Sequence, residues 1–243
     1  MGTIRPMSNP IEVRAGAGLP ERRQLVVGAL AGALLLASTP QVWANPTALV
    51  AAAEAGDLDT LRRLLDAGTP VDARDGRRRT ALLAATHANR IEAARLLIAR
   101  GADVNAKDDL QDSAFLYAGA EGRLEILRLT LAAGADLRST NRYGGTALIP
   151  AAHHGHVETV RELLKTRIDI DHVNRLGWTA LLEAVILGDG GAAHTEIVRL
   201  LVAGGANVRI SDAQGVPPLA HAEQRGQKAI ADILRKALQS TKP

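Results

Sequence analysis

A Thr-Ala-Leu triplet returns along this 243-residue chain at a step of 33 residues. It stands as Thr47-Ala48-Leu49, Thr80-Ala81-Leu82, Ser113-Ala114-Phe115, Thr146-Ala147-Leu148 and Thr179-Ala180-Leu181. A sixth copy, Pro217-Pro218-Leu219, follows after one further period and five inserted residues, Asp189 to Ala193. A fixed period of this length restricts the chain to stacked-repeat architectures. One such unit cannot cover its own apolar face, so neighbours must share a continuous core.

Each period carries the same chemistry at the same offset. The Thr or Ser hydroxyl can accept from the free N–H groups of a helix that it opens. Small alanines follow at Ala52, Ala85, Ala118, Ala151, Ala184 and Ala222, allowing close helix approach. Nine residues after the hydroxyl come Gly56, Asn89, Gly122, Gly155, Gly188 and Gly226, the residue types that a left-handed helix terminus selects. A second helix then begins with an acid in its first turn (Asp59, Glu92, Glu125, Glu158, Glu196), where the helix dipole favours negative charge. It carries an apolar stripe such as Leu58, Leu61, Leu64 and Leu65 and stops at Gly68, Gly101, Gly134 and Gly205. Arg167 stands where the fourth unit would place that glycine, which weakens its turn. Aromatic residues make up only 2% of the chain, so the core must be built from Ala, Leu, Ile and Val. There is no cysteine, which excludes disulfides, thiolate metal sites and a cysteine nucleophile.

These residues resemble the ankyrin repeat, whose signature runs Thr-Pro-Leu-His, Ala-Ala, Gly-His, an acid, Leu-Leu and Gly-Ala-Asp-Val-Asn. The resemblance implies an all-α solenoid of about six helix-turn-helix repeats joined by short β-hairpin-like loops. The expected repeats are 45–74, 78–107, 111–140, 144–173, 177–211 and 215–238, within a repeat domain spanning 45–240. The signature proline is alanine in most copies, and its histidine is replaced by Val50, Leu83, Leu116, Ile149, Leu182 and Ala220. In the last copy Glu223, Arg235 and Lys236 suit a capping unit with no further neighbour to cover.

Residues 1–44 read as an export signal. Arg22-Arg23 precede an apolar run from Leu25 to Ala37, and small residues lead to an expected cleavage after Ala44. The run is shorter than the roughly 20 residues needed to span a bilayer. The arginine pair resembles a twin-arginine signal, with the ordinary secretory route and an uncleaved anchor as alternatives. An intracellular protein whose N-terminus merely imitates a signal is a further one. Export implies a periplasmic or secreted chain with no membrane span after cleavage. Cleavage leaves 25 basic and 24 acidic side chains, so nucleic acid is not an implied partner.

The resemblance implies protein binding as a class, and not catalysis; no cofactor or metal is expected. The alternative is a metal-binding or catalytic protein built around His153 and His154, since histidine is a common zinc ligand. Gly188, Gly190 and Gly191 lie in the insertion, without the strand before and the Lys-Ser/Thr after that a phosphate cradle needs. The loop tips carry Gly76-Arg77, Asp109-Leu110, Arg142-Tyr143, Arg175-Leu176 and Ala213-Gln214, so successive tips present large apolar groups beside arginine. Such groups either anchor a partner or brace a neighbouring loop. The expected contact residues are Arg77, Leu110, Tyr117, Arg142, Tyr143, His153, Arg175, Leu176 and Trp178, with Glu54, His87, Glu183 and Ile186 on the same side by the family's orientation. The expected partner is another exported protein and the expected state a monomer, with no heptad pattern to suggest a coiled coil. The insertion is expected to lengthen the turn between the helices of repeat five, either neutrally or as a second contact site.

Overall fold

The computed structural model describes residues 45–240. The expected signal segment, with its arginine pair and its cleavage point, lies outside the described residues. Within them the chain forms helices only, in six pairs. The first helices of the pairs are α1 (Pro46–Ala55), α3 (Ala81–His87), α5 (Ala114–Ala120), α7 (Leu148–His153), α9 (Ala180–Ile186) and α11 (Pro218–Gln224). The second helices are α2 (Leu58–Asp66), α4 (Ile91–Ala99), α6 (Leu124–Ala132), α8 (Val157–Leu163), α10 (Ala192–Ala203) and α12 (Lys228–Ser240). First helices stack on first helices and second on second, so a single core runs from Leu49 through Leu82, Phe115, Leu148 and Leu181 to Leu234. The six-repeat, all-α solenoid that the resemblance implied is the observed fold.

The hydroxyl caps hold in three repeats and fail in two. Thr80, Ser113 and Thr179 accept from the backbone N–H three residues on, each at 3.2 Å. In the first repeat Asn45 takes that role at 2.9 Å, because Pro46 starts the helix one residue before Thr47. In the fourth, α7 starts at Leu148 and the buried Thr146 hydroxyl has no partner.

Left-handed backbone appears where expected at Gly56, Asn89, Gly122, Gly155 and Gly226, but not at Gly188. The insertion moves that conformation to Gly190, with φ of +71°. Gly188 is instead required by crowding: a Cβ there would lie 2.2 Å from Ala184 O and 2.5 Å from the His194 ring. The insertion only partly lengthens the turn. Two of its five residues, Ala192 and Ala193, are helical: α10 begins at Ala192 and runs 12 residues, against nine in α2, α4 and α6. The new turn is tied down by His194, whose Nδ1 lies 2.7 Å from Asp189 Oδ1 and whose Nε2 donates to His153 O at 2.8 Å. Arg90 and Gln227, at the equivalent position of their repeats, likewise donate to Glu54 O and Val185 O. In these three repeats one side chain thus satisfies a terminal carbonyl of the preceding first helix, whereas the equivalent Arg123 Nε of the third repeat has no partner. At Arg167 the missing glycine is met by ending α8 early at Leu163, where the Thr166 hydroxyl donates to Leu163 O at 2.6 Å.

The connecting loops are hairpin-like but form no strands among the described residues, only an isolated bridge between Arg74 and Thr80. Their common organiser is an acid or amide five residues before each capping position: Asp75, Asp108, Asn141, Asn174 and Asp212. In every tip its Oδ1 accepts the N–H groups two and four residues on, for example Tyr143 and Gly145 at Asn141 and Leu176 and Trp178 at Asn174. The residue three positions on has positive φ: Arg78, Gln111, Gly144, Gly177 and Gly215. The two residues between are thereby forced outward as the tip.

Candidate functional site

Three rows of side chains, each repeating with the 33-residue period, enclose one groove of about 530 Å3. The rim comes from the second outward residue of each tip, Leu110, Tyr143 and Leu176. The floor comes from the residue four positions after each capping site, Tyr117, Pro150 and Glu183. The far wall comes from the ends of the first helices, including His87, His153, His154, Glu121 and Leu187. Leu110, Tyr143, Leu176 and Leu187 are 54%, 51%, 50% and 41% exposed, and all four face this groove. Val173 completes the large apolar residues left exposed among the described ones, and it does not line the groove.

Six of the nine expected contact residues meet here: Leu110, Tyr117, Arg142, Tyr143, His153 and Leu176. The other three do not line the groove. Arg77 is exposed on an earlier tip, where its N–H is held by Asp75. Arg175 braces the neighbouring tip: its backbone N–H donates to Tyr143 O at 3.0 Å and its Nη1 donates to Arg142 O at 2.8 Å. Trp178 is half-buried on the returning arm, with its N–H donating to Asn174 Oδ1 at 3.0 Å. The two roles of the tips are thus divided between residues: the arginine of the fourth tip braces, while Leu110, Tyr143 and Leu176 line the groove. Asp112, Glu121, Asn141, Pro150, Asn174 and Leu187 also line the groove and were not singled out from the sequence. The repeat offset was the signal for Pro150, which shares that of Tyr117 and Glu183, and for Glu121 and Leu187, which share that of His154.

Burial shifts much of the groove's ionisable chemistry toward the neutral forms. Desolvation lifts the Glu183 carboxyl to about 7, partly offset by the hydrogen bond that Asn174 Nδ2 donates to its Oε1 at 2.9 Å. Desolvation also holds His87 and His153 below the ordinary imidazole range and lifts Tyr117. His87 stacks on Tyr117 with ring centroids 3.8 Å apart. Asp112 is raised first by burial and then by the Asp108 charge. Arg142 lies over the Tyr143 ring at 4.8 Å and faces Asp112 Oδ2 at 3.8 Å.

The histidines do not converge as ligands. His153 and His154 lie with ring centroids 4.6 Å apart, but His154 Nδ1 donates to Ala120 O at 2.7 Å and His153 faces Glu183. Among the described residues no three His, Asp or Glu side chains are grouped to hold a metal ion. A second recess of about 680 Å3 lies between α10 and α12, lined by Val202, Val208 and Ile233 with Arg199, Arg209 and Lys236. None of the large apolar residues left exposed among the described ones faces it. Among the described residues no helix is long and apolar enough to cross a membrane.

The family profile described as "Ankyrin repeats (3 copies)" matches residues 27–108 and 115–212. The crystal structure of an ankyrin repeat domain from Acinetobacter baumannii AYE is similar at 56% identity and a TM-score of 0.76, covering 78% of this chain and 96% of that one. The ankyrin repeat protein EF0377 is similar at 44% identity and a TM-score of 0.76, covering 79% and 98%. The ankyrin repeat domain of Bcl-3, of the IkappaB protein family, is similar at 30% identity and a TM-score of 0.71, covering 78% and 85%. No curated protein matches the chain.

Proposed function

We propose that this chain, which belongs to the ankyrin-repeat family, is an exported protein-binding module that holds a segment of another exported protein in the groove of repeats two to five. Among the described residues, four of the five large exposed apolar side chains line that one groove, and this observation carries the reading. Exposed apolar groups gathered around a recess and ringed by polar side chains mark interaction surfaces. The tips are held rigid by their Asp or Asn organisers, so a partner meets a preformed surface and little ordering cost opposes binding. The groove offers no nucleophile beside a base and no clustered metal ligands. A scaffold or accessory role fits it better than catalysis.

Export rests on residues 1–44: paired arginines, an apolar run below membrane-spanning length, and small residues before Ala44. Cleavage after Ala44 retains Asn45, the cap of α1. Mass spectrometry of periplasmic protein is expected to find Asn45 at the N-terminus. Soluble cytoplasmic protein that keeps residues 1–44 would overturn the export reading.

The binding reading is tested by crosslinking capture from the periplasm, with wild type beside a Leu110→Ala, Tyr143→Ala, Leu176→Ala variant. All three side chains are about half exposed, so the variant folds, which circular dichroism verifies. A partner held by wild type and lost by the variant supports the groove. Equal capture by both removes it.

A further inference from the structure

One carboxyl on the groove floor has an acceptor oxygen that the fold does not use. The Glu183 side chain is only 8% exposed. Its Oε1 takes the Asn174 hydrogen bond, whereas the polar atom facing Oε2 is His153 Nδ1 at 3.6 Å, beyond hydrogen-bond reach. Bracing Asn174 does not require a carboxylate. Glutamine would offer the same accepting Oε1 without placing an ionisable group in a desolvated site.

The groove is also short of cations to meet that oxygen. Arg142 is engaged by Asp112 and by the Tyr143 ring. Glu121 adds a further carboxylate on the far wall. The groups facing Glu183 are His153 and His154 from α7 and Asn174 from the preceding tip. On α11, His221 is held by Asp212 at 2.7 Å, and on α10 His194 is held by Asp189.

We infer that the protein segment bound in the groove delivers a lysine or arginine side chain to Glu183 Oε2, with its aliphatic stem along the apolar rim. The inference rests on the groove being a protein-binding surface. It adds the chemistry of the segment's anchor. A long basic side chain suits the place because its methylenes cover apolar surface while its head carries the charge. Pairing also relieves the cost of an ionised carboxylate in a dry site, and a neutral isostere cannot do so.

The test uses N-acetyl-arginine methylamide and N-acetyl-lysine methylamide as probes, with the N-acetyl-citrulline counterpart as the neutral isostere. Binding is followed by NMR of the Glu183 carboxyl carbon and the His153 ring in purified protein. At least one cationic probe is expected to shift both resonances saturably, and citrulline to shift neither. Glu183→Gln, which keeps the Asn174 hydrogen bond, is expected to weaken the cationic probe about tenfold or more. With the carboxyl titrating at about 7, affinity for the cation should rise about tenfold from pH 6 to pH 8 in wild type and stay flat in the variant. Equal binding of citrulline, wild-type affinity in the variant, or a pH dependence that survives in the variant and so belongs to the histidines, would each overturn the inference. So would the absence of a shift with both cations. In that case partner capture lost in the triple alanine variant would still support the groove itself, so the two failures are distinguishable.

Discussion

Replacing Glu183 with glutamine should change how the stability of the repeat array depends on pH, and the size of the change follows from burial. The folded-state pKa is raised, from an ordinary 4.5 to about 7. A raised carboxyl favours folding while it is protonated. That contribution is fully present below the unfolded pKa and is lost as pH rises through the folded one. At about 1.4 kcal/mol per factor of ten, the full loss is ~3 kcal/mol, of which roughly 2.5 kcal/mol falls between pH 5 and pH 8. In an array of this size that is about 5–10 °C in melting temperature. Glutamine keeps the hydrogen bond to Asn174 and has nothing to ionise. The stability of the variant relative to wild type should therefore improve by roughly 2.5 kcal/mol from pH 5 to pH 8. Urea unfolding of both proteins across this range measures it, and titrating groups away from Glu183, such as Asp112 and His87, cancel in the comparison. Hydrogen exchange of the α9 amides gives the same difference if the array unfolds in steps. A relative stability constant within about 0.5 kcal/mol across this range would refute the claim that desolvation governs Glu183.

Two glycines at left-handed positions should respond differently to alanine. Gly122→Ala would place a Cβ 2.6 Å from the His156 ring as well as straining the backbone, whereas Gly68→Ala, with nothing within 4 Å, meets backbone strain alone. Urea denaturation should show about 1 kcal/mol for Gly68→Ala and a larger loss for Gly122→Ala. Ser113→Ala removes the buried cap of α5 and should cost ~1 kcal/mol by the same assay, with no change in helical content by circular dichroism. Arg175→Ala removes the donor to Arg142 O, so amide exchange at the Arg142–Gly144 tip should accelerate while α7 keeps its protection. Unchanged exchange at that tip would show that the Asn141 turn suffices.

Much of this architecture was legible because each repeat states it again. The period, the helix pairs, the small alanines and most of the left-handed glycines follow from local chemistry, which needs only neighbouring residues to act. The exceptions have local causes too: Pro46 shifts the first cap to Asn45, and the five inserted residues transfer the left-handed turn from Gly188 to Gly190. The tips were located by counting from the threonines. Their organisers, from Asp75 to Asp212, carry no distinct sequence signal, because an acid or amide in a loop also has many solvent-facing roles.

The repeated sequence dictates a row of similar units, and hence that residues one period apart lie side by side on one face. What those rows enclose follows from packing between repeats. Tyr143 and Arg175 are both tip residues, yet Tyr143 lines the groove beneath Arg142 whereas Arg175 spans to Arg142 O on the neighbouring tip, a contact between repeats. Glu183 reads in sequence as one more acid on a helix. It becomes a carboxyl titrating near neutrality because packing removes its water while Asn174 occupies just one of its oxygens, and desolvation is a property of the surroundings that no single repeat contains.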